Sequence, residues 1–211
     1  LSKSLVEIGA AFYNCDALTE IEIPKSLSKL SYWKNGGAFA DCDNLRSVSF
    51  EEGTSRIVAK LFWNCTGLEE IEIPNTVQRI EESTFQNCSN LMRVTIPLSV
   101  TEIGKNAFDS CKNLEEIIIP DTVIKIESSA FSNCGKLKRV HLSKTLEEIG
   151  EGAFYNCDSL ASINIPKSLN RVVRDYSAKG GPFGWCDNLN EIIFEEGTTK
   201  IIDRLFTDCI G

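Results

Sequence analysis

Residues 65–87 read CTGLEEIEIPNTVQRIEESTFQN, and residues 88–110 read CSNLMRVTIPLSVTEIGKNAFDS. Laid one over the other, they agree at a cysteine, a leucine, two aliphatic residues flanking one polar residue, a proline, a valine, an isoleucine and a phenylalanine. The register extends outward in both directions. Cysteines stand at Cys15, Cys42, Cys65, Cys88, Cys111, Cys134, Cys157, Cys186 and Cys209, with gaps of 27, 23, 23, 23, 23, 23, 29 and 23 residues. A phenylalanine lies three positions before each, and a leucine lies three positions after each of the first eight. A fixed period of this size marks a solenoid, in which one coil cannot bury its own apolar residues and each covers the open side of its neighbour.

Within the unit, I-x-I has period two and predicts a short strand with one buried face. The proline that follows lacks an amide hydrogen and ends the strand. One such strand per coil can only build a parallel sheet. The second apolar pair, V-x-x-I, is spaced like a helical turn but is too short for a helix, so a brief extended or 3₁₀ piece is expected on the opposite face. The stretch A-F-x-x-C-x-x-L reads as a tight turn that drives Phe, Cys and Leu into the core.

The pattern fills the 211 residues without a linker. It predicts a single solenoid over residues 1–211, uncapped at both ends, and therefore a fragment of a longer protein. The net charge of −8 argues against nucleic acid and against anionic membranes as partners. No apolar run is long enough to insert in a bilayer.

Nine cysteines in one column, each between two core positions, read as stacked reduced thiols, since free Cys behaves as a small buried hydrophobe. No C-x₂₋₄-C pair exists to hold zinc. Asn14, Asn64, Asn87, Asn133 and Asn156 precede five of the cysteines, and their side chains are expected to bond nearby backbone in a turn.

Two units are longer. After Pro24 and Pro166 the chain inserts residues that end in Gly36-Gly37 and Gly180-Gly181. Each insertion is followed by Cys-Asp-Asn-Leu and then by Phe-Glu-Glu-Gly-Thr, at Phe50–Thr54 and Phe194–Thr198. Cys42 and Cys186 are offset by 144 residues, as are Cys65 and Cys209, so a six-unit period lies above the basic one. The insertions should bulge from one edge, about 29 Å apart at about 4.8 Å per rung. Tyr32, Trp33 and Tyr176 are their candidate contact aromatics.

The run IPLSVTEIGKNAFDSCKNL at residues 96–114, repeated in register along the chain, resembles the BspA-like, or Treponema-type, leucine-rich repeats. The resemblance implies an α/β-type repeat solenoid, right-handed, with a parallel sheet on the concave face and short strands or 3₁₀ turns opposite. It also implies a secreted or cell-surface module for adhesion to a host matrix or bacterial surface protein, and it carries no catalytic motif.

If Ile71 and Ile73 point inward, Glu70 and Glu72 point outward. The same columns place Glu20, Glu22, Arg93, Glu116, Ile118, Arg139, His141 and Ile193 on the candidate partner surface. The lone histidine, His141, has no nucleophile and acid to form a triad, so no enzyme, cofactor or metal centre is expected. Alternatives to protein binding are a spacer that displays another domain and a weak calcium- or glycan-binding surface, with Glu70, Glu72 and Glu116 as the carboxylate patch for calcium. The protein is expected to be a monomer.

Overall fold

A computed structural model describes residues 1–31, 36–178 and 180–209. Each coil runs through a front strand, a turn, a back strand and a turn-rich third side. The front strands are β2 (Glu20–Ile23), β4 (Ser47–Phe50), β5 (Glu70–Glu72), β7 (Arg93–Thr95), β9 (Glu116–Ile118), β11 (Arg139–His141), β13 (Ser162–Ile165) and β15 (Glu191–Phe194). The back strands are β1 (Glu7–Ile8), β3 (Lys29–Leu30), β6 (Arg79–Ile80), β8 (Glu102–Ile103), β10 (Lys125–Ile126), β12 (Glu148–Gly150) and β14 (Arg171–Val173). All pairings are parallel and the solenoid is right-handed.

Where a proline follows the front strand, its carbonyl accepts a hydrogen bond from the amide three residues on, as Pro74 does from Val77 at 3.0 Å and Pro97 from Val100 at 3.1 Å; Glu51, Ser143 and Glu195 accept in the same way in the other coils. Valine therefore closes a β-turn. The isoleucine three residues later joins a parallel back sheet in the order β14-β12-β10-β8-β6. Of the short strands or 3₁₀ turns expected opposite the front sheet, the strands are what forms: among the described residues there is no α-helix and no 3₁₀ helix. Three residues cannot nucleate a helix, whereas two-residue strands can pair when neighbouring coils supply the partner.

The third side is a column of tight turns. Cys65 N–H donates to Phe62 O at 3.3 Å and Leu68 N–H to Cys65 O at 3.3 Å. Coil-to-coil bonds hold the turns in register, such as Phe62 N–H to Thr84 O at 3.1 Å and Asn64 N–H to Gln86 O at 2.7 Å. The residue before the cysteine has φ between 56° and 63° at Asn14, Asn64, Asn87, Asn133 and Asn156. Asn is among the few residues that tolerate this left-handed conformation. Its side chain does not serve the turn as expected. At Asn64, Asn133 and Asn156 it bonds to the preceding coil instead, with Asn64 Nδ2 donating to Asp41 Oδ1, Asn133 Nδ2 to Asp109 Oδ1 at 2.9 Å and Asn156 Nδ2 to Asn133 Oδ1 at 3.1 Å.

Inside, seven phenylalanines from Phe39 to Phe183 are fully buried, and consecutive rings stack with centroids 5.1–5.9 Å apart. Beside them the inner cysteines are free and buried. Each thiol donates to the Phe carbonyl of the previous coil, as Cys65 does to Phe39 O at 3.0 Å and Cys111 to Phe85 O at 3.3 Å. Burial pushes the Cys88 thiol up to about 12 and raises Cys65, Cys111 and Cys134 as well. Thiolate is the reactive form. Cys42, Cys65, Cys88, Cys111, Cys134 and Cys157 should thus resist iodoacetamide in the native protein and label fully in denaturant without reductant. Mass spectrometry of the two samples checks this.

Candidate partner-binding surface

The front strands alternate outward and inward residues, so burial of Ile71, Ile117, Val140 and Ile163 leaves their neighbours facing solvent. Glu20, Glu22, Glu70, Glu72, Arg93, Arg139, His141 and Ile193 are exposed there as expected, Ile118 keeps 62% of its surface and Glu116 is half-buried. Tyr32 and Trp33 lie outside the described residues.

The face is not one continuous sheet. Its strands pair as β2-β4, β5-β7, β9-β11 and β13-β15, and among the described residues no ladder joins one pair to the next. In two of these pairs, β5-β7 and β9-β11, opposite charges sit across the strands. Glu70 is in register with Arg93, with Oε2 and Nη1 3.9 Å apart, and Glu116 with Arg139, where Oε2 and Nη2 are 2.8 Å apart. Such cross-strand pairs favour that pairing. His141 Nε2 also lies 3.4 Å from Glu116 Oε1. The hydrogen bond from Arg139 holds the Glu116 carboxyl below its ordinary range. Glu70 and Glu116 are thus each engaged by an arginine, and among the described residues no cluster of three His, Cys, Asp or Glu could hold a metal ion.

Shallow grooves follow the breaks in the ladder. The one over β7 and β9 has a volume of about 850 Å³ and is lined by Met92, Leu98 and Ile118 beside Arg93, Glu116 and Arg139. Met92 and Leu98 are 44% and 76% exposed. A second groove of about 520 Å³ lies over β11, β13 and β15, with Ile165, Ile193 and Phe194 beside His141 and Lys144. Sequence reasoning followed the strand columns and passed over Met92 and Leu98. The signal for Leu98 is a leucine after the proline, where other units have Lys25, Asn75, Asp121, Lys144 and Lys167.

Tyr176 stands apart from this face. It is 99% exposed on the second insertion, and the loop beneath it is tied down. Lys105 Nζ lies 2.6 Å from Asp175 Oδ2 and donates to Ser177 Oγ at 2.9 Å, while Asp175 N–H donates to Glu151 Oε2 at 2.9 Å. The bond from Lys105 brings the Asp175 carboxyl down to about 2.

The sequence profile of a family described as BspA type leucine rich repeat region matches over residues 7–138, 55–178 and 101–211. Among solved structures, a leucine-rich repeat protein from Bacteroides ovatus is 30% identical with a TM-score of 0.61; the match covers 90% of this chain and 41% of that one. The T. pallidum leucine rich repeat protein is 24% identical with a TM-score of 0.57, over 88% of this chain and 72% of that one. A leucine rich cell surface protein from Faecalibacterium prausnitzii is 24% identical with a TM-score of 0.53, over 98% of this chain and 66% of that one. The chain spans less than half the length of the B. ovatus protein, and no curated protein matches it.

Proposed function

We propose, from the premise that this chain belongs to the BspA-type leucine-rich repeat family, that it is a protein-binding module that meets its partner with the front sheet, centred on the groove over β7 and β9. One observation carries this reading: Met92, Leu98 and Ile118 expose large apolar surfaces to a single groove rimmed by Arg93, Glu116 and Arg139. Interface cores combine apolar anchors with a charged rim that sets orientation. Glu20, Glu22, Glu70, Glu72, His141 and Ile193 flank the contact along the same face. The likeness to a cell surface protein supports a secreted or surface-attached setting; a host matrix or bacterial surface protein as partner and a monomeric chain are part of the same proposal.

The test captures matrix proteins and bacterial surface extracts on the immobilised chain, then repeats the capture with Leu98→Glu/Ile118→Glu. The double variant should melt within about 2 °C of wild type, because exposed substitutions change stability little. Its affinity for the captured protein should fall at least about tenfold. Undiminished capture by the double variant removes the groove as the contact, and failure of the wild-type chain to retain any partner favours a spacer role.

A further inference from the structure

On the third side, away from the front sheet, one column contains the residues two positions before each cysteine. It carries Tyr13 on the first coil, Ala40 on the second and Trp63 on the third. Alternate rungs stand about 10 Å apart, and between the two rings the bare Gly36 lies over the small buried Ala40, where an added Cβ would come within 2.7 Å of the Ala40 Cβ. A groove of about 490 Å³ opens there, walled by Tyr13 and Trp63 and edged by Asp41, Lys60, Glu82 and Gln86. Among its described lining residues there is no Leu, Ile, Val or Met.

Both aromatic rings have close neighbours. Asp41 has φ 58° and occupies the column that is mostly asparagine elsewhere. Its carboxylate accepts from Asn64 Nδ2, and the nearby Asp41 raises the Tyr13 hydroxyl above its ordinary pKa. Gly36 has φ 135°, and a Cβ there would come within 3.1 Å of Trp63 Cε3, so the indole lies against bare backbone. Lys60 Nζ is 3.8 Å from Glu82 Oε1, which leaves donors and acceptors of both signs at the rim.

From this arrangement we infer that the Tyr13–Trp63 groove is a binding site for a neutral oligosaccharide. A sugar ring presents C–H groups on its flat face and hydroxyls around its edge. Aromatic walls with mixed polar rims, and with no Leu, Ile, Val or Met among the described lining residues, match that chemistry. A protein contact would instead surround its aromatic anchors with apolar neighbours. The volume suits a small ligand. Asp41, Glu82 and the chain's net charge of −8 disfavour an anionic glycan. Each ring can stack on one sugar, because the rings are separated by one rung as alternate residues are in an extended β-linked chain.

The site is single. Tyr155 is the six-unit equivalent of Tyr13, but Thr207 stands where Trp63 would recur, so the second block lacks the far wall.

Calorimetry and tryptophan fluorescence with chitotriose and cellotriose test the proposal, with sialyllactose as the anionic comparison. Saturable binding of at least one neutral trimer with one site per chain is expected, with weaker or no binding of sialyllactose. Tyr13→Ala and Trp63→Ala should each weaken binding by about tenfold or more, and Trp63→Phe should retain most of it. Tyr13 is exposed, so its variant keeps the test valid if Trp63→Ala alters the melt. No binding of either trimer at millimolar concentration overturns the site, as does binding unchanged by both alanine variants. Equal binding of sialyllactose overturns the neutral assignment. If Tyr13→Ala weakens capture only of a protein that still binds after its glycans are removed, the groove is a protein contact and the proposal falls.

Discussion

Phe108→Ala is expected to destabilise the protein by about 3–5 kcal/mol, the range for removing a buried phenylalanine. At roughly 2–4 °C per kcal/mol for a chain of this size, the melting temperature should fall by about 10 °C. Phe108 is fully buried, with ring centroids 5.4 Å from Phe85 and 5.2 Å from Phe131 at interplanar angles of 12° and 9°. Truncation therefore removes two stacking contacts and opens a cavity midway along the core. In a solenoid each coil is stabilised through its interfaces with two neighbours, so a gap in the middle weakens coupling between the halves. Chemical denaturation followed by tyrosine and tryptophan emission should show a lower midpoint, and a split transition if the halves uncouple. Phe12→Ala should cost less, because Phe12 is half-buried and stacks on Phe39 alone. Equal losses at the two positions would mean that the stack contributes nothing beyond each ring's own burial.

Much of this interior is legible in the repeat, because side-chain direction follows from period. Once Ile71 and Ile73 are placed inward, the outward-facing column follows by alternation, and Glu70, Arg93, Glu116 and Arg139 stand where that rule puts them. The back strands were less legible. The isoleucine of V-x-x-I gains strand geometry only from coils 23 residues away, as Ile103 does from Ile80 and Ile126. The breaks in the front sheet were not legible at all. The series Glu70, Arg93, Glu116, Arg139 offers an opposite charge on both sides of each inner strand, so composition does not say which neighbour is chosen. The Asn column was read correctly as a turn but for an incomplete reason, since φ, rather than a side-chain bond to backbone, selects the residue. The Phe-Glu-Glu-Gly-Thr variants resolve into one local device. Glu51 and Glu195 accept from the backbone N–H of Lys25 and Lys167 at 3.1 and 3.0 Å, and Gly53 and Gly197 supply φ of 85° and 86°.

The glycine pairs of the two insertions divide their work, which makes Gly181→Ala the second large effect. The first glycine of each pair, Gly36 or Gly180, has a positive φ of 135° or 65° and turns the chain back. The second, Gly37 or Gly181, has no such φ, and is required for a different reason. A Cβ on Gly181 would overlap the Arg204 carbonyl oxygen and stand 2.8 Å from Thr207 N; a Cβ on Gly37 would overlap the equivalent Lys60 carbonyl and stand 2.8 Å from Leu61 Cα. These obstacles are backbone atoms of the next coil, so no rotamer change relieves them. The coils must part, and parting strains the 3.1 Å bond from Gly181 N–H to Thr207 O and the neighbouring 2.8 Å bond from Trp185 N–H to Asp208 O. Overpacking of this kind costs about 3 kcal/mol, which corresponds to roughly 6–12 °C in melting temperature. Gly135→Ala is the control. An added Cβ there meets nothing within 4 Å, so its melt should stay within about 2 °C of wild type. If Gly181→Ala melts like Gly135→Ala, the coils are not in contact at that rung, and the glycine pairs serve only to reverse the chain.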